Sequence, residues 1–189
     1  VRATQISGQL ARYYGLPWRA SNANAANYPD PQATWESAAS LWACSSAQAN
    51  MVFHATGWME GGLCASFEKV VIDCEMLQQM IYYHRPINVT DDDLAIEAIK
   101  DVGPTGHFLG SAHTQSRYQT AFYEPFLSDW SNFENWTEQG AKTTIQRANQ
   151  LYKKALRHYE PPNMEKDIKE ELHEFVKRRK LEGGAPTDY

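Results

Sequence analysis

Apolar positions along this chain recur with helical spacing in some stretches and as short unbroken runs in others, and the two kinds alternate. From Thr4 to Tyr14 the residues Ile6, Leu10, Ala11 and Tyr14 share a helix face, and Gly15 is placed to end that helix before Pro17. Trp18 to Ser21 reads as a short strand, and the Asn- and Ala-rich stretch Asn22 to Tyr28 reads as the loop after it. Asp30 is a good N-cap with Pro31 at the first helical position, which opens a helix running to about Ala49. Met51, Val52 and Phe53 form a second apolar run that ends at His54. A loop with Gly57, Gly61 and Gly62 follows. An amphipathic helix then begins near Ser66, with Phe67, Val70, Val71, Cys74, Leu77 and Ile81 on one face.

The second half is more helical. Pro86 to Val89 is a connector, and Thr90 with Asp93 resembles a capping box opening a helix that Gly103 and Pro104 stop. The aspartates Asp91 to Asp93 suit the positive end of that helix dipole, so their placement needs no metal. Gly106 to Thr114 is read as a loop carrying His107 and His113, followed by a helix near Gln115 to Tyr123 and an irregular aromatic stretch through Trp136. Two long helices close the pattern. Ala141, Ile145, Ala148, Tyr152, Ala155 and Tyr159 mark the first, which Pro161 and Pro162 end. Met164, Ile168, Leu172, Phe175 and Val176 mark the second, with acids early and Lys177 to Lys180 late. The tail from Gly183 to Tyr189 is expected to be mobile.

Strands alternating with helices imply an α/β fold with a parallel sheet and crossover helices. Two β/α units are clear and a third is possible, whereas a complete (β/α)8 barrel needs about 250 residues. The 189 residues are therefore expected to be the C-terminal part of a TIM barrel, with later β/α units over 1–125 and a helical extension over 126–189. The opening at Val1, without a methionine and directly in a helical pattern, carries the same expectation of a missing upstream part.

Composition narrows the function classes. At 42% hydrophobic and 12% aromatic the chain can bury one sizeable core. A net charge of −5 argues against a nucleic-acid surface. Cys44, Cys64 and Cys74 make an odd count without a CxxC pair, which suits reduced thiols in the cytoplasm. There is no long apolar run and no signal-sequence pattern, so neither a membrane span nor export is expected.

Ligands of α/β sheets bind at the carboxyl ends of strands, which puts His54, Trp58 and Glu60 in position for chemistry. Each also has a plainer role: a histidine after a strand is often a structural hydrogen-bonder, a Gly-flanked tryptophan a packing wedge, and Glu60 or Glu68 a loop or helix-cap residue. Asp30 is a cap before it is a ligand.

QLARYYGLP (Gln9 to Pro17), DPQATWE (Asp30 to Glu36), HATGWMEGGLCASFEKVVIDCE (His54 to Glu75), VGPTGHFLGSAHT (Val102 to Thr114) and EGGAPTDY (Glu182 to Tyr189) resemble the C-terminal part of the trimethylamine methyltransferase family. The resemblance covers nearly the whole chain. It implies a (β/α)8 barrel that moves a methyl group from a methylated amine to the cobalt of a separate corrinoid protein, with no tightly bound cofactor, no resident metal and a homo-oligomeric assembly. Trimethylamine-specific members carry pyrrolysine; the region matching it is placed at Ser21 to Tyr28, which holds ordinary residues. The chain thus resembles the non-pyrrolysine branch, some of whose members demethylate glycine betaine or related quaternary amines.

That chemistry asks for positioning rather than many catalytic groups. A cationic substrate calls for aromatic faces, here Trp18, Phe53 and Trp58, and His54 would hydrogen-bond a substrate carboxylate. His54 and Glu60 are the catalytic candidates, and His107 and His113 are assigned to the pocket mouth or the surface that docks the corrinoid protein. Two rivals stand beside this. His54, Glu60 and His107 could hold a hydrolase metal, although no HExxH spacing is present; the long C-terminal helices could be a non-catalytic interaction module. Half a barrel, finally, is expected to be inactive and to self-associate through unpaired sheet edges.

Overall fold

The computed structural model describes residues 1–183, so beyond Gly183 the expected mobile tail and the end of the closing motif lie outside the described residues. By packing, the chain divides into Val1–Lys154 and Ala155–Tyr189.

The first unit opens with α1 (Arg2–Tyr14), which Gly15 ends in the left-handed region at φ 66°, its N–H turned back to the Ala11 and Arg12 carbonyls. β1 (Arg19–Ser21) then pairs in parallel with β2 (Met51–Phe53), Arg19 opposite Met51 and Ser21 opposite Phe53. Between them runs α2 (Pro31–Ser46), where the Asp30 carboxylate accepts from the Ala33 N–H at 3.2 Å and Pro31 occupies the first turn. Its buried Ala33, Ser37, Leu41, Ala43 and Cys44 are mostly small, as close packing requires. The β-α-β succession is thus present.

The loop after β2 is more structured than its sequence suggests. Trp58–Met59 (β3) pairs antiparallel with Cys64–Ala65 (β4), and Glu60–Gly62 form a tight 3-10 turn between them. Gly62 lies at φ 96° against the Trp58 ring, where a Cβ would stand 2.8 Å from the indole. Two-residue strands are too short to show any period.

Ser66 caps α3 (Phe67–Tyr83) by accepting from the Lys69 N–H. The most deeply buried positions of α3 are Lys69, Ile72, Asp73, Glu75 and Met80, while Phe67 and Ile81 are exposed. This corrects the apolar face read from the periodicity: the helix is turned so that an ion pair sits where hydrocarbon was expected. Farther along α3, Val71 and Ile72 pack with Leu127, Ile145, Ala148 and Leu151. Glu75 accepts from the N–H groups of Phe126 (3.1 Å) and Leu127 (3.0 Å) and from Ser128 Oγ, while Arg147 donates to the Leu127 carbonyl at 2.9 Å. The irregular aromatic stretch is fastened there.

The capping box at Thr90 and Asp93 is present, but the helix it opens is broken: α4 (Asp91–Leu94) and α5 (Ile96–Val102) meet at Ala95, which takes φ 54°. The next helix, α6 (Ala112–Arg117), starts three residues earlier than expected because Ser111 caps it through the Thr114 N–H. α7 (Phe133–Glu138) follows, and α8 (Thr144–Arg157) contains the unit boundary. In the second unit α9 (Lys166–Leu181) leaves Ile168, Leu172, Phe175 and Val176 about half exposed.

The described residues are mixed α/β and mostly helical, with two two-stranded sheets and no closed barrel. None of the described helices is long and apolar enough to cross a membrane.

Replacing Glu75 by Ala leaves the Phe126 and Leu127 N–H groups without their acceptor, and Leu127 is buried. A loss of about 2 kcal/mol of unfolding free energy is expected in denaturant titration. A loss below about 0.5 kcal/mol would show that water replaces the carboxylate without cost.

Candidate functional site

β1 and β2 end side by side, and both chains turn away there. The Phe53 carbonyl accepts from the Asn22 N–H at 3.2 Å, and the next residue, His54, enters the left-handed region at φ 53°. That turn brings the His54 Nδ1 to 2.9 Å from the Ser21 Oγ. Its ring lies 4.3 Å from that of Trp58, centroid to centroid, and 6.1 Å from that of Phe53. The Arg19 guanidinium stands 4.9 Å from the Phe53 centroid. Strand alternation explains the grouping. Ala20 and Val52 face inward, Val52 lining a cavity of about 520 Å³ with Leu41 and Cys44, so Arg19, Ser21, Met51 and Phe53 share the opposite face. The result is a cluster of one cation, one hydroxyl, one imidazole and two aromatic rings.

The loop from Asn22 to Tyr28 is held from three sides. The Glu36 carboxylate accepts from the N–H groups of Ala25 (2.7 Å) and Ala26 (3.0 Å). Its carbonyls at Asn24 and Ala26 accept from the N–H groups of Gly61 (2.7 Å) and Glu60 (3.1 Å), which ties it to the β3–β4 turn. Beneath it the amides of Asn22 and Asn24 donate to Ser37 Oγ at 3.0 and 2.9 Å. The same Ser37 Oγ lies 2.6 Å from Lys69 Nζ, which also meets the Asp73 carboxylate at 2.6 and 2.9 Å. Lys69 and Asp73 are 1% and 0% exposed, which makes this pair an interior one. Asp73 in turn accepts from the Gly57 N–H at 2.8 Å. Burial pushes the Asp73 carboxyl up from its ordinary value, opposed by Lys69, Gly57 and Ser37.

The residues singled out from sequence fall in different places. Phe53, His54 and Trp58 belong to the strand-end cluster. Trp18 lies at the amino end of β1, its N–H on the Asn50 side chain and its ring beside Gly8 of α1. Glu60 is exposed in the β3–β4 turn at φ 53°; burial and the Glu60 carboxylate push the neighbouring Cys64 thiol up. His107 and His113 line an open cavity of about 1130 Å³ with Asp91, Asp92, Ile96 and Arg117, and no residue of the strand-end cluster lines it. There His113 Nε2 hydrogen-bonds the Asp92 carbonyl at 2.8 Å, and Arg117 pairs with the Asp92 carboxylate. Glu68 accepts from Asn149 at 2.7 Å and from Ser66, contacts that hold its carboxyl below the usual range. Asp30 caps α2.

Sequence reasoning missed Arg19, Ser21, Asn22, Asn24, Ser37, Lys69 and Asp73. A signal for the last two was present: a Lys and an Asp four residues apart among the apolar positions of one helix. Among the described residues no group of three or more His, Cys, Asp or Glu converges as a metal would need.

Comparison with known proteins finds one family over nearly the whole chain. The family described as "Trimethylamine methyltransferase (MTTB)" matches residues 1–184. A glycine betaine methyltransferase of Desulfitobacterium hafniense is 34% identical over 179 residues, covering 94% of this chain and 37% of that protein. A trimethylamine methyltransferase from another strain of that organism is 33% identical, covering 94% and 36%. One from Methanosarcina mazei is 30% identical, covering 89% and 34%. The chain thus spans little more than a third of the length of these relatives.

The hydrogen bond from Gln32 and those from the Ala25 and Ala26 N–H groups hold the Glu36 carboxyl below its ordinary value of 4.5. A depressed folded-state value stabilises the loop above 4.5 and ceases to do so as pH falls through that lower value. Below pH 4.5, hydrogen exchange at Ala25 and Ala26 is expected to lose protection before that of α2. Simultaneous loss in loop and helix would show that Glu36 does not act locally.

Proposed function

We propose, from the premise that this chain belongs to the trimethylamine methyltransferase family, that the whole protein moves a methyl group from a quaternary amine to the Co(I) of a corrinoid carried by a partner protein. The observation that carries the substrate class is the strand-end cluster. Phe53 and Trp58 offer aromatic faces to an alkylated ammonium. His54 and Arg19 offer donors to a carboxylate at the other end of the same small molecule. A methylated amino acid such as glycine betaine has both ends. Glu60 acts on the β3–β4 turn, which its N–H joins to the Asn22–Tyr28 loop.

Little proton chemistry is required. When a quaternary ammonium loses a methyl group, the C–N bond breaks with its electron pair going to nitrogen, and the product is a neutral tertiary amine. No general acid is needed, so the protein's contribution is orientation and exclusion of water. The corrinoid supplies the nucleophile that takes the methyl carbon. Ordinary residues throughout Ser21 to Tyr28, the region matched to pyrrolysine by resemblance, favour a quaternary rather than a tertiary amine and the non-pyrrolysine branch.

On this reading β1, α2, β2, the hairpin loop and α3 are later units of a (β/α)8 barrel that the rest of the protein completes. The parallel pairing and the uncovered side chains of Arg19, Met51 and Phe53 support it, since that face would be the barrel interior. Three free cysteines favour a reducing cytoplasm. The half-exposed apolar stripe of α9 favours contact with another chain, in a homo-oligomer or with the corrinoid protein.

The test uses the whole protein with Co(I) cobalamin, adding glycine betaine, other quaternary amines and trimethylamine in turn. Loss of the Co(I) absorbance with one quaternary amine is expected, and His54→Ala should slow it at least ~10-fold, or ~1.4 kcal/mol, in a folded protein. Response to trimethylamine alone would overturn the substrate class, and unchanged kinetics would remove His54 from the site.

A further inference from the structure

The backbone at His54 lies in the left-handed region at φ 53°, a strained conformation for a non-glycine residue that persists only where its surroundings over-determine it. Here they do, on both sides. Upstream, the Phe53 carbonyl is held by the Asn22 N–H at 3.2 Å. Downstream, the Ala55 carbonyl receives a long 3.5 Å contact from the Asn22 side-chain amide, and the Gly57 N–H is held by Asp73 at 2.8 Å. Gly57 has no room to shift towards α3, because a Cβ there would lie 2.4 Å from Val70 Cγ2.

These two restraints meet in the interior. Asn22 donates to Ser37 Oγ, Asp73 accepts from Lys69, and Lys69 Nζ reaches both Ser37 (2.6 Å) and Asp73 (2.6 and 2.9 Å). We propose that Lys69, acting through Ser37 and Asp73, is the positioning residue that fixes the His54 imidazole beside Ser21 and Trp58. The assignment rests on the reading of His54 as a substrate-facing group, although the geometry it concerns can be measured without any substrate. An ammonium suits this junction because it has three protons in tetrahedral directions, and the interior provides it with Ser37 and two carboxylate oxygens. An isosteric methionine would fill the space and join nothing.

Nuclear magnetic resonance of the full chain tests this through the His54 ring, whose contact with the Trp58 indole, 4.3 Å between centroids, should give a nuclear Overhauser effect. Ser37→Ala keeps the ion pair and a good helix former but cuts the link to Asn22. Lys69→Met with Asp73→Asn removes both charges while keeping a carbonyl for the Gly57 N–H. In both, with helix content unchanged, the His54–Trp58 effect should be lost and the His54 resonance broadened. Ser45→Ala, on the same helix and bonded to His84, should leave both unchanged. In the whole protein Ser37→Ala should raise KM for the methyl donor at least ~10-fold more than it lowers kcat. A narrow His54 resonance with the Trp58 effect intact in either folded variant would overturn the proposal, whether or not methyl transfer is found.

Discussion

Lys69 and Asp73 are held out of water, paired where α2, α3 and the loops beyond β1 and β2 come together. Taking two charges into the interior costs several kcal/mol per ion, which mutual attraction repays only when the remaining protons and lone pairs are also used. Here they are used: the Lys69 ammonium donates to Ser37 Oγ as well as to Asp73, and the Gly57 N–H donates to the carboxylate. Stability alone is a poor reason for such an arrangement, since hydrocarbon of the same shape would serve as well or better. What charges add is direction. The pair connects α2, α3 and the two loops beyond β1 and β2, and each connection has an angle as well as a length.

The consequence runs outward to the loops. Around the strand ends His54, Gly57, Glu60, Gly61 and Gly62 all take positive φ, so this backbone follows a path that extended chain does not. Such a path needs partners for the N–H and C=O groups it turns away from any sheet. They are supplied between the loops themselves, by the Ala26 and Asn24 carbonyls, and from below by Glu36 and Asp73. A site built this way has its geometry set by hydrogen bonds between its loops and to the carboxylates beneath them, which suits the proposed reaction, whose barrier is lowered by placement.

What could be read in the sequence was what local chemistry decides. Asp30 with Pro31, Ser66, and Thr90 with Asp93 act within three residues of themselves, and their helix starts were legible for that reason. The end of α1 at Gly15 was legible in the same way. Elements decided by distant contacts were not. The β3–β4 hairpin is joined by hydrogen bonds to Asn24 and Ala26, the break at Ala95 has no breaker residue to announce it, and the face that α3 buries includes a Lys69 bonded to Ser37, 32 residues away. Within the site, His54 and Trp58 could be found because they follow a strand. Arg19 and Ser21 could not, because which side of a three-residue strand is uncovered is settled only when α2 packs on the other. Trp18, two residues from Ala20 along the same strand direction, shows the limit of the strand-end argument: it stands at the wrong end.

The charge of the cluster bears on the proposed substrate more than its aromatic content does. Arg19 already lies over the Phe53 ring, so a simple cation entering there would meet a like charge on the face it needs. A zwitterion meets the same cation differently. Its carboxylate can draw the guanidinium away from the ring, and a planar fork of N–H donors is well matched to two carboxylate oxygens. The aromatic surface of Phe53 and Trp58 is then released to the ammonium. For the proposed zwitterionic substrate the carboxylate would thus do more than add affinity, because it would convert a repulsive site into a receptive one.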